Sequence, residues 1–407
     1  MSKDFRPQET RFMSGPINYG NAVEKEFRKL FGEQPVIFRS PGRVNLIGEH
    51  TDYNLGYVLP GAIDRSIYFG LAPRRDKVVC LYALDMGESY VFNLVDIRKT
   101  DKSWPNYLIG VVDQLQKAGY NFTGFNCLFG GDIPIGAGLS SSAAIEAGLA
   151  FALDNIFELN IDKLDLVKLA QKAENEFVGV QCGIMDQFIN IFGEHKKVLR
   201  LDCRSLEFEY FPFQFNDVAI LLFNSNISHS LASSEYNKRR LECSEGVRLI
   251  RQKFPNIQTL RDVTLEMLSE VSLTLDKRIF HRCKYVVEEN ERLLRACASL
   301  SENDPKAFGE TMYGSHEGLR FDYEVSCQEL DFLVSLAKGL PGVYGSRMTG
   351  GGFGGCTINL VLKDAVPEIC KFVKERYSSQ FNHDPDVYVT ALSEGTSVVA
   401  EDANIRL

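Results

Sequence analysis

The run from Pro134 to Leu153, PIGAGLSSSAAIEAGLAFAL, constrains the local architecture more than any other segment of this chain. Gly136, Ala137 and Gly138 give a backbone that can wrap closely around a ligand, because no large side chain stands in the way. Leu139 and three serines, Ser140, Ser141 and Ser142, follow, and then an Ala/Leu-rich stretch long enough for several helical turns. Serines at such a junction are natural N-caps. The free N–H groups of the first turn, reinforced by the helix dipole, make that start a site for anions. A well-capped core helix after a glycine turn leaves the same trace. No lysine follows the glycines and no HRD or DFG set is present, so P-loop and protein-kinase architectures are unsupported.

A second segment mixes charge with apolar residues as a plain core strand does not. In SPGRVNLIGEHTDYN, residues 40–54, the ionisable Arg43, Glu49, His50 and Asp52 surround Val44, Leu46 and Ile47, and Gly42 and Gly48 punctuate a turn. Burying an unpaired ion is very costly. Two carboxylates, an imidazole and a permanent cation suit a site that holds a polyhydroxyl ligand and stabilises an anion. The alternative is a strand whose Arg–carboxylate pair leads into a polar turn. A third segment, MTGGGFGGC, packs five glycines into six residues between Gly350 and Gly355. That density costs folding entropy and belongs where the backbone approaches something closely or takes positive φ. A glycine-rich hairpin is the simpler reading.

With 407 residues and a net charge of −9, the chain is long enough for two domains. Its acidic balance argues against a nucleic-acid partner. An anionic ligand must then be met locally, by backbone N–H groups, a few cations or a metal ion. None of the ten cysteines forms a C-x-x-C pair, so neither a zinc site nor a disulfide ladder is expected. The N-terminus lacks the apolar core of a signal peptide, and no run approaches the ~20 apolar residues of a membrane span. The expectation is a reduced, cytoplasmic protein without a membrane partner.

Strands are expected at 36–39, 66–72, 78–84, 90–94 and 125–130, and helices at 106–118, 143–157 and 161–177. After a strand at 218–224 the chain turns helical (234–253, 281–300, 328–338). It closes with strands at 357–362 and 387–391 around a helix near 366–377. This is an α+β pattern, with a division near 210–217. On the helix 161–177, Glu174 projects at the rim of the apolar arc and needs a partner there, either a metal ion or an ion pair. Asp186, in CGIMDQFINIF, is either the N-cap of a helix through 187–192 or a catalytic base between hydrophobic walls. Tyr236 opens a charged helix, where a tyrosine usually packs with its hydroxyl in water.

Together these segments resemble the galactokinase family of the GHMP small-molecule kinases. SPGRVNLIGEHTDYN is similar to the family's sugar signature, GAGLSSSAA to its phosphate loop and TGGGFGG to its third motif; CGIMDQF, DCRSLE and PGVYGSRM are family-like too. The resemblance runs from about residue 20 to the C-terminus. It implies a GHMP kinase fold of two α/β domains, residues 1–212 (S5-like) and 213–407 (ferredoxin-like), with the active site in the cleft between them. The implied activity is ATP-dependent phosphorylation of galactose at its C1 hydroxyl by a monomer. Galactose contacts would fall on Glu49, His50, Thr51, Asp52, Gly183, Asp186 and Tyr236. ATP contacts would fall on Gly136, Ala137, Gly138, Leu139, Ser140, Ser141 and Ser142, with Trp104 and Tyr107 at the adenine. Mg²⁺ would be held by Ser142 and Glu174. Asp186 matches the family's catalytic base and Arg43 its transition-state cation. The rivals are a kinase for N-acetylgalactosamine or arabinose, and a non-catalytic sensor of galactose and ATP. Where the family commonly carries a basic residue after NSN, this chain has Ile227-Ser228-His229. That departure removes a cation from the surroundings of the base, with His229 the nearest substitute.

Overall fold

The computed structural model describes residues 18–134, 136–228 and 232–399. The first half runs α1 (Tyr19–Phe31), β1 (Val36–Asn45), β2 (Tyr57–Val58), β3 (Pro60–Pro73), β4 (Val78–Ala83), β5 (Glu88–Asn93), α2 (Ser103–Lys117), β6 (Phe125–Gly131), α3 (Ser141–Phe157), α4 (Lys163–Lys172), α5 (Met185–Phe192), β7 (Lys197–Asp202) and β8 (Phe208–Pro212). The second runs β9 (Val218–Ser228), α6 (Ala232–Lys253), α7 (Leu265–Val271), α8 (Lys277–Ser301), α9 (Pro305–Glu317), α10 (Gln328–Ala337), β10 (Val343–Met348), β11 (Gly354–Leu362), α11 (Val366–Phe381), β12 (Asp386–Thr390) and β13 (Ser397–Val398). Three sheets result, ordered β13-β1-β3-β6-β4-β5, β2-β7-β8 and β10-β11-β9-β12. His229 lies outside the described residues. No described helix is long and apolar enough to cross a membrane.

Gly42 is not the turn expected of it. β1 continues through it to Asn45, and its register against β3 slips between Pro41 and Arg43. A Cβ at Gly42 would lie 2.9 Å from the Leu139 carbonyl oxygen. The Arg43 N–H donates to that same oxygen at 3.1 Å. The glycine thus lets the strand press against the serine loop, and the bulge re-aims the next side chain.

Two helices fix the rest of the site from behind. α3 is apolar around most of its circumference and is buried accordingly. Its Gly148 permits contact with the sheet so close that a Cβ would stand 2.6 Å from Phe69 and 2.7 Å from Ser40. The Ser40 hydroxyl donates to the Ala144 carbonyl at 2.7 Å. α5 is tied to β1 by Asn190, whose side-chain N–H donates to the Pro41 carbonyl at 2.6 Å. Asp186 lies one turn earlier on the same face, so it meets Arg43, two residues past Pro41.

α4 stops at Lys172 and widens into a π-helical turn, Ala173–Val178. The expected helix through 177 therefore has a loosened last turn, and Glu174 sits in it. Such widenings recur at functional sites. At the other end of the chain, β13 returns to pair antiparallel with β1. Leu392 fills the space over Gly61, where a Cβ would come within 2.5 Å of it.

Candidate active site

Arg43 and Asp186 form the centre. The guanidinium grips the carboxylate in a bidentate pair, Nε–Oδ1 at 2.8 Å and Nη2–Oδ2 at 2.9 Å, the geometry that makes such pairs strong and directional. Its third arm, Nη1, donates to the Gly138 carbonyl at 2.5 Å. Arg43 is buried while the Asp186 side chain keeps 26% exposure, so the pair presents its carboxylate to solvent. Ser140 completes the group. It stands at the N-cap position of α3 in the left-handed region (φ 63°) but caps nothing with its side chain. Its hydroxyl donates to Asp186 Oδ2 at 2.5 Å instead. Asp186, for its part, lies in the first turn of α5 after Ile184 and is not its N-cap.

A cavity of about 250 Å³ opens beside the pair, lined by Arg43, Glu49, His50, Asp52, Gly183, Asp186, Tyr236 and Gly350–Gly352. That volume holds on the order of eight waters, a fit for a monosaccharide. Glu49 is almost fully buried, and its carboxyl is held below its ordinary range despite burial, because Arg347 and Arg43 outweigh the desolvation. His50 takes a left-handed backbone (φ 61°), a strain of about 1–3 kcal/mol of the kind found at functional sites. Its Nδ1 is 2.7 Å from the Tyr53 hydroxyl, which in turn meets the Tyr323 hydroxyl at 2.8 Å. His50 Nε2 is buried without a hydrogen-bond partner. Burial pushes the imidazole down to about 4, so it is neutral at physiological pH. Asp52 moves the other way, up to about 7, through burial and the nearby charge of Asp186.

Gly183 has no room for a side chain: a Cβ would overlap the Asp52 carboxylate at 1.8 Å. Tyr236 packs as expected, its ring against His50 and Tyr53 with centroids 5.3 and 5.1 Å away, but burial pushes its phenol well above the usual range. Thr51 does not line the cavity. Its hydroxyl is shared between the Gly48 and Tyr57 carbonyls, at 2.8 and 2.5 Å, and stabilises the turn.

The serine loop lies next to the cavity. Gly136 and Gly138 take positive φ (75° and 74°), Ala137 and Leu139 are buried, and Ser141 and Ser142 begin α3. The N–H groups of that first turn have no intrahelical partner. The glycine segment joining β10 to β11 closes over the loop. Gly350 has φ 81°, and a Cβ on it would sit 3.0 Å from the Gly138 carbonyl oxygen. It is indeed a hairpin connection, and it also makes the close approach that glycine density implied.

Glu174 accepts from Gln187 Nε2 at 2.7 Å and from the Cys182 thiol at 3.2 Å, with the Ser142 hydroxyl beside it. Glu146 is fully buried beside them, with Oε1 unpartnered. Burial and the Glu174 charge push its carboxyl well above the usual range. Among the described residues no three His, Cys, Asp or Glu side chains are arranged to hold a metal ion by themselves. Tyr107 belongs to this acidic corner, since burial and Glu174 push its phenol up to about 12. Trp104 does not line the cavity. It is 8% exposed, packs on Phe129 and donates its indole N–H to Glu88 at 3.2 Å.

Several residues here escaped the sequence reading. Glu146 carries a visible signal, an acid in the apolar first half of α3. Arg347, a single cation at the end of β10, carries the same kind of signal. Tyr53 and Tyr323 carry none, because a tyrosine in a polar turn looks like any other.

Residues 25–73 match the galactokinase galactose-binding signature, residues 106–194 the N-terminal domain of the GHMP kinases and residues 291–379 their C-terminal domain. A galactokinase from Roseiflexus sp. is 43% identical over 382 residues, covering 94% of this chain and 97% of that protein. That of Clostridium beijerinckii is 44% identical over 382 residues, covering 92% and 98%. The crystal structure of Lactococcus lactis galactokinase complexed with galactose matches with a TM-score of 0.90 at 38% identity, covering 93% of this chain and 99% of that one. Methanococcus jannaschii mevalonate kinase, 19% identical with a TM-score of 0.63 over 89% of this chain and 99% of its own, shares the fold. A family-specific sugar signature, both halves of the GHMP fold and near-full-length relatives place this chain in the galactokinase family, as a kinase.

Proposed function

We propose that the chain transfers the γ-phosphoryl group of ATP to the C1 hydroxyl of α-D-galactose, with Asp186 as general base and Arg43 as the stabilising cation. The observation that carries this reading is the bidentate Arg43–Asp186 pair at the junction of the 250 Å³ cavity and the serine loop. A hydroxyl bound in the cavity can give its proton to Asp186, while phosphate oxygens meet the free N–H groups of α3 and the Arg43 guanidinium. Phosphoryl transfer runs through a loose, charge-rich transition state, so positioning and charge stabilisation do most of the catalysis. Glu49, His50, Asp52, the Gly183 backbone and Tyr236 read the sugar's hydroxyls, and a site built on such hydrogen bonds rejects an epimer that misplaces one.

The Ser142 hydroxyl, at the start of α3, and the Glu174 carboxylate would be the oxygen donors for Mg²⁺, which takes few protein ligands and keeps its remaining places for water and phosphate. When bound, the ion neutralises charge on the phosphates. Gln187 holds Glu174 in place. We assign the boundary between domains to the stretch between β8 and β9. The protein is taken to be a cytoplasmic monomer, and ten unpaired cysteines favour a reducing compartment.

An ADP-release assay across galactose, N-acetylgalactosamine, glucose and arabinose tests the proposal. Galactose should give the highest kcat/KM. A higher value for another sugar would replace the substrate, and binding of galactose and ATP without sugar phosphate formation would make the chain a sensor.

A further inference from the structure

Glu49 is held by the other half of the chain. Its Oε1 accepts from the Gly350 N–H at 2.8 Å, the Thr349 hydroxyl at 3.1 Å and Arg347 Nη2 at 3.2 Å. All three donors come from the end of β10 and the start of the glycine segment, some three hundred residues away in sequence. Arg347 is fully buried and has no freedom to swing. Its Nε donates to the Leu46 carbonyl at 2.8 Å and its Nη1 to the Met348 carbonyl at 2.6 Å, while Nη2 also reaches the Asn45 carbonyl. Thr349 is buried as well, and its N–H is fixed on the Cys356 carbonyl at 3.0 Å. Three converging donors saturate Oε1 of a residue that lines the cavity and leave Oε2 to meet a ligand there.

We propose that Arg347 and Thr349 are positioning residues for sugar recognition, which fix the Glu49 carboxylate so that Oε2 is the acceptor presented to a sugar hydroxyl. This rests on the reading of Glu49 as a sugar contact. Neither residue touches the sugar; they act through Glu49. One acceptor of the sugar site is therefore set by the end of β10 and the residues after it, outside the signature segment that carries the recognisable residues. The same donors explain how a carboxylate 2% exposed stays ionised and ready to accept.

Steady-state kinetics with each substrate varied separately provide the test. Thr349→Val, which keeps shape and deletes the donor, should raise the galactose KM about tenfold. The KM for ATP should stay within about twofold and kcat within about threefold. Thr349→Ser, which restores the hydroxyl, should return the galactose KM to within about twofold of the parent. Arg347→Lys should raise it further than Thr349→Val, because a point charge cannot serve the carboxylate and the Asn45 and Leu46 carbonyls together. If Arg347→Lys fails to fold, Thr349→Val and Thr349→Ser decide alone. A Thr349→Val enzyme with unchanged galactose KM overturns the proposal. So does one whose KM values for galactose and ATP rise equally, since that is what a merely loosened glycine segment would do. Glu49→Gln separates the two layers. If it leaves the galactose KM unchanged, the sugar-contact reading falls and the positioning role with it. If it raises KM while Thr349→Val does not, only the positioning role falls.

Discussion

At the residue scale, the chemistry rests on a few side chains whose charge states differ from those of free amino acids. Asp186→Asn keeps the shape of the centre but cannot take a proton, and kcat should fall by about 10²–10⁴. The melting temperature should stay within a few degrees, and a variant retaining a tenth of its turnover would remove Asp186 as the base. Asp52 makes a pH prediction with two opposite signs. Its carboxyl sits near 7 in the folded protein, above its range in an unfolded chain. The stability it contributes is therefore fully present below the unfolded value and is lost as pH rises through about 7. If Asp52 is the proposed sugar acceptor, galactose binding needs it ionised, so the galactose KM should fall between about pH 6 and about pH 8. Asp52→Asn should flatten that profile, and a profile unchanged by the substitution would clear Asp52 of the role. The charges of the 40–54 segment were legible because four ionisable groups crowd a short apolar stretch. Their partners were not: nothing local to Glu49 points to Arg347, and nothing local to Arg43 points to Asp186.

At the element scale, close approaches of backbone decide the site as much as side chains do. Gly183→Ala would drive a methyl into the Asp52 carboxylate. It should raise the galactose KM at least about tenfold while the far-UV spectrum is preserved, because the displaced group lines the cavity and is the proposed sugar contact, not a core residue. The serine loop was readable as glycines followed by hydroxyls and a long helix. The job of Ser140 was not, since capping by a serine is the default expectation and its hydroxyl went to Asp186 instead. Gly42 misled for a related reason. A glycine among charges reads as a turn, whereas here it clears the way for the Leu139 carbonyl. α9 escaped notice because Gly309 and Gly314 interrupt its apolar period. Gly309 is there because a Cβ would collide with the Tyr344 carbonyl at 2.0 Å, a contact made by β10 and invisible in the helix itself. Glu174 was placed on a helix correctly, but the π-turn that swings it toward Ser142 follows from packing and has no local sequence mark.

At the scale of the whole molecule, the sugar site and the serine loop belong to different segments brought together by sheets that the sequence only outlines. The strands at 36–39 and 66–72 were visible as apolar, β-branched runs; the pairing of the first with β13 was not, because a two-residue strand has no period to detect. That returning tail does mechanical work. Thr396 donates to Asn190 Oδ1 at 2.6 Å, and Asn190 in turn holds Pro41. Leu392→Ala should cost about 2–4 kcal/mol in urea unfolding, and a loss below about 1 kcal/mol would mean the tail is ornamental. The tail also puts a clock on biosynthesis. Arg39 is made some 358 residues before its neighbour Ser397. At about 5–20 residues per second the outer edge of β1 stays open for tens of seconds. Throughout that interval the nascent protein carries an unpaired strand edge, the feature most prone to pairing with another chain.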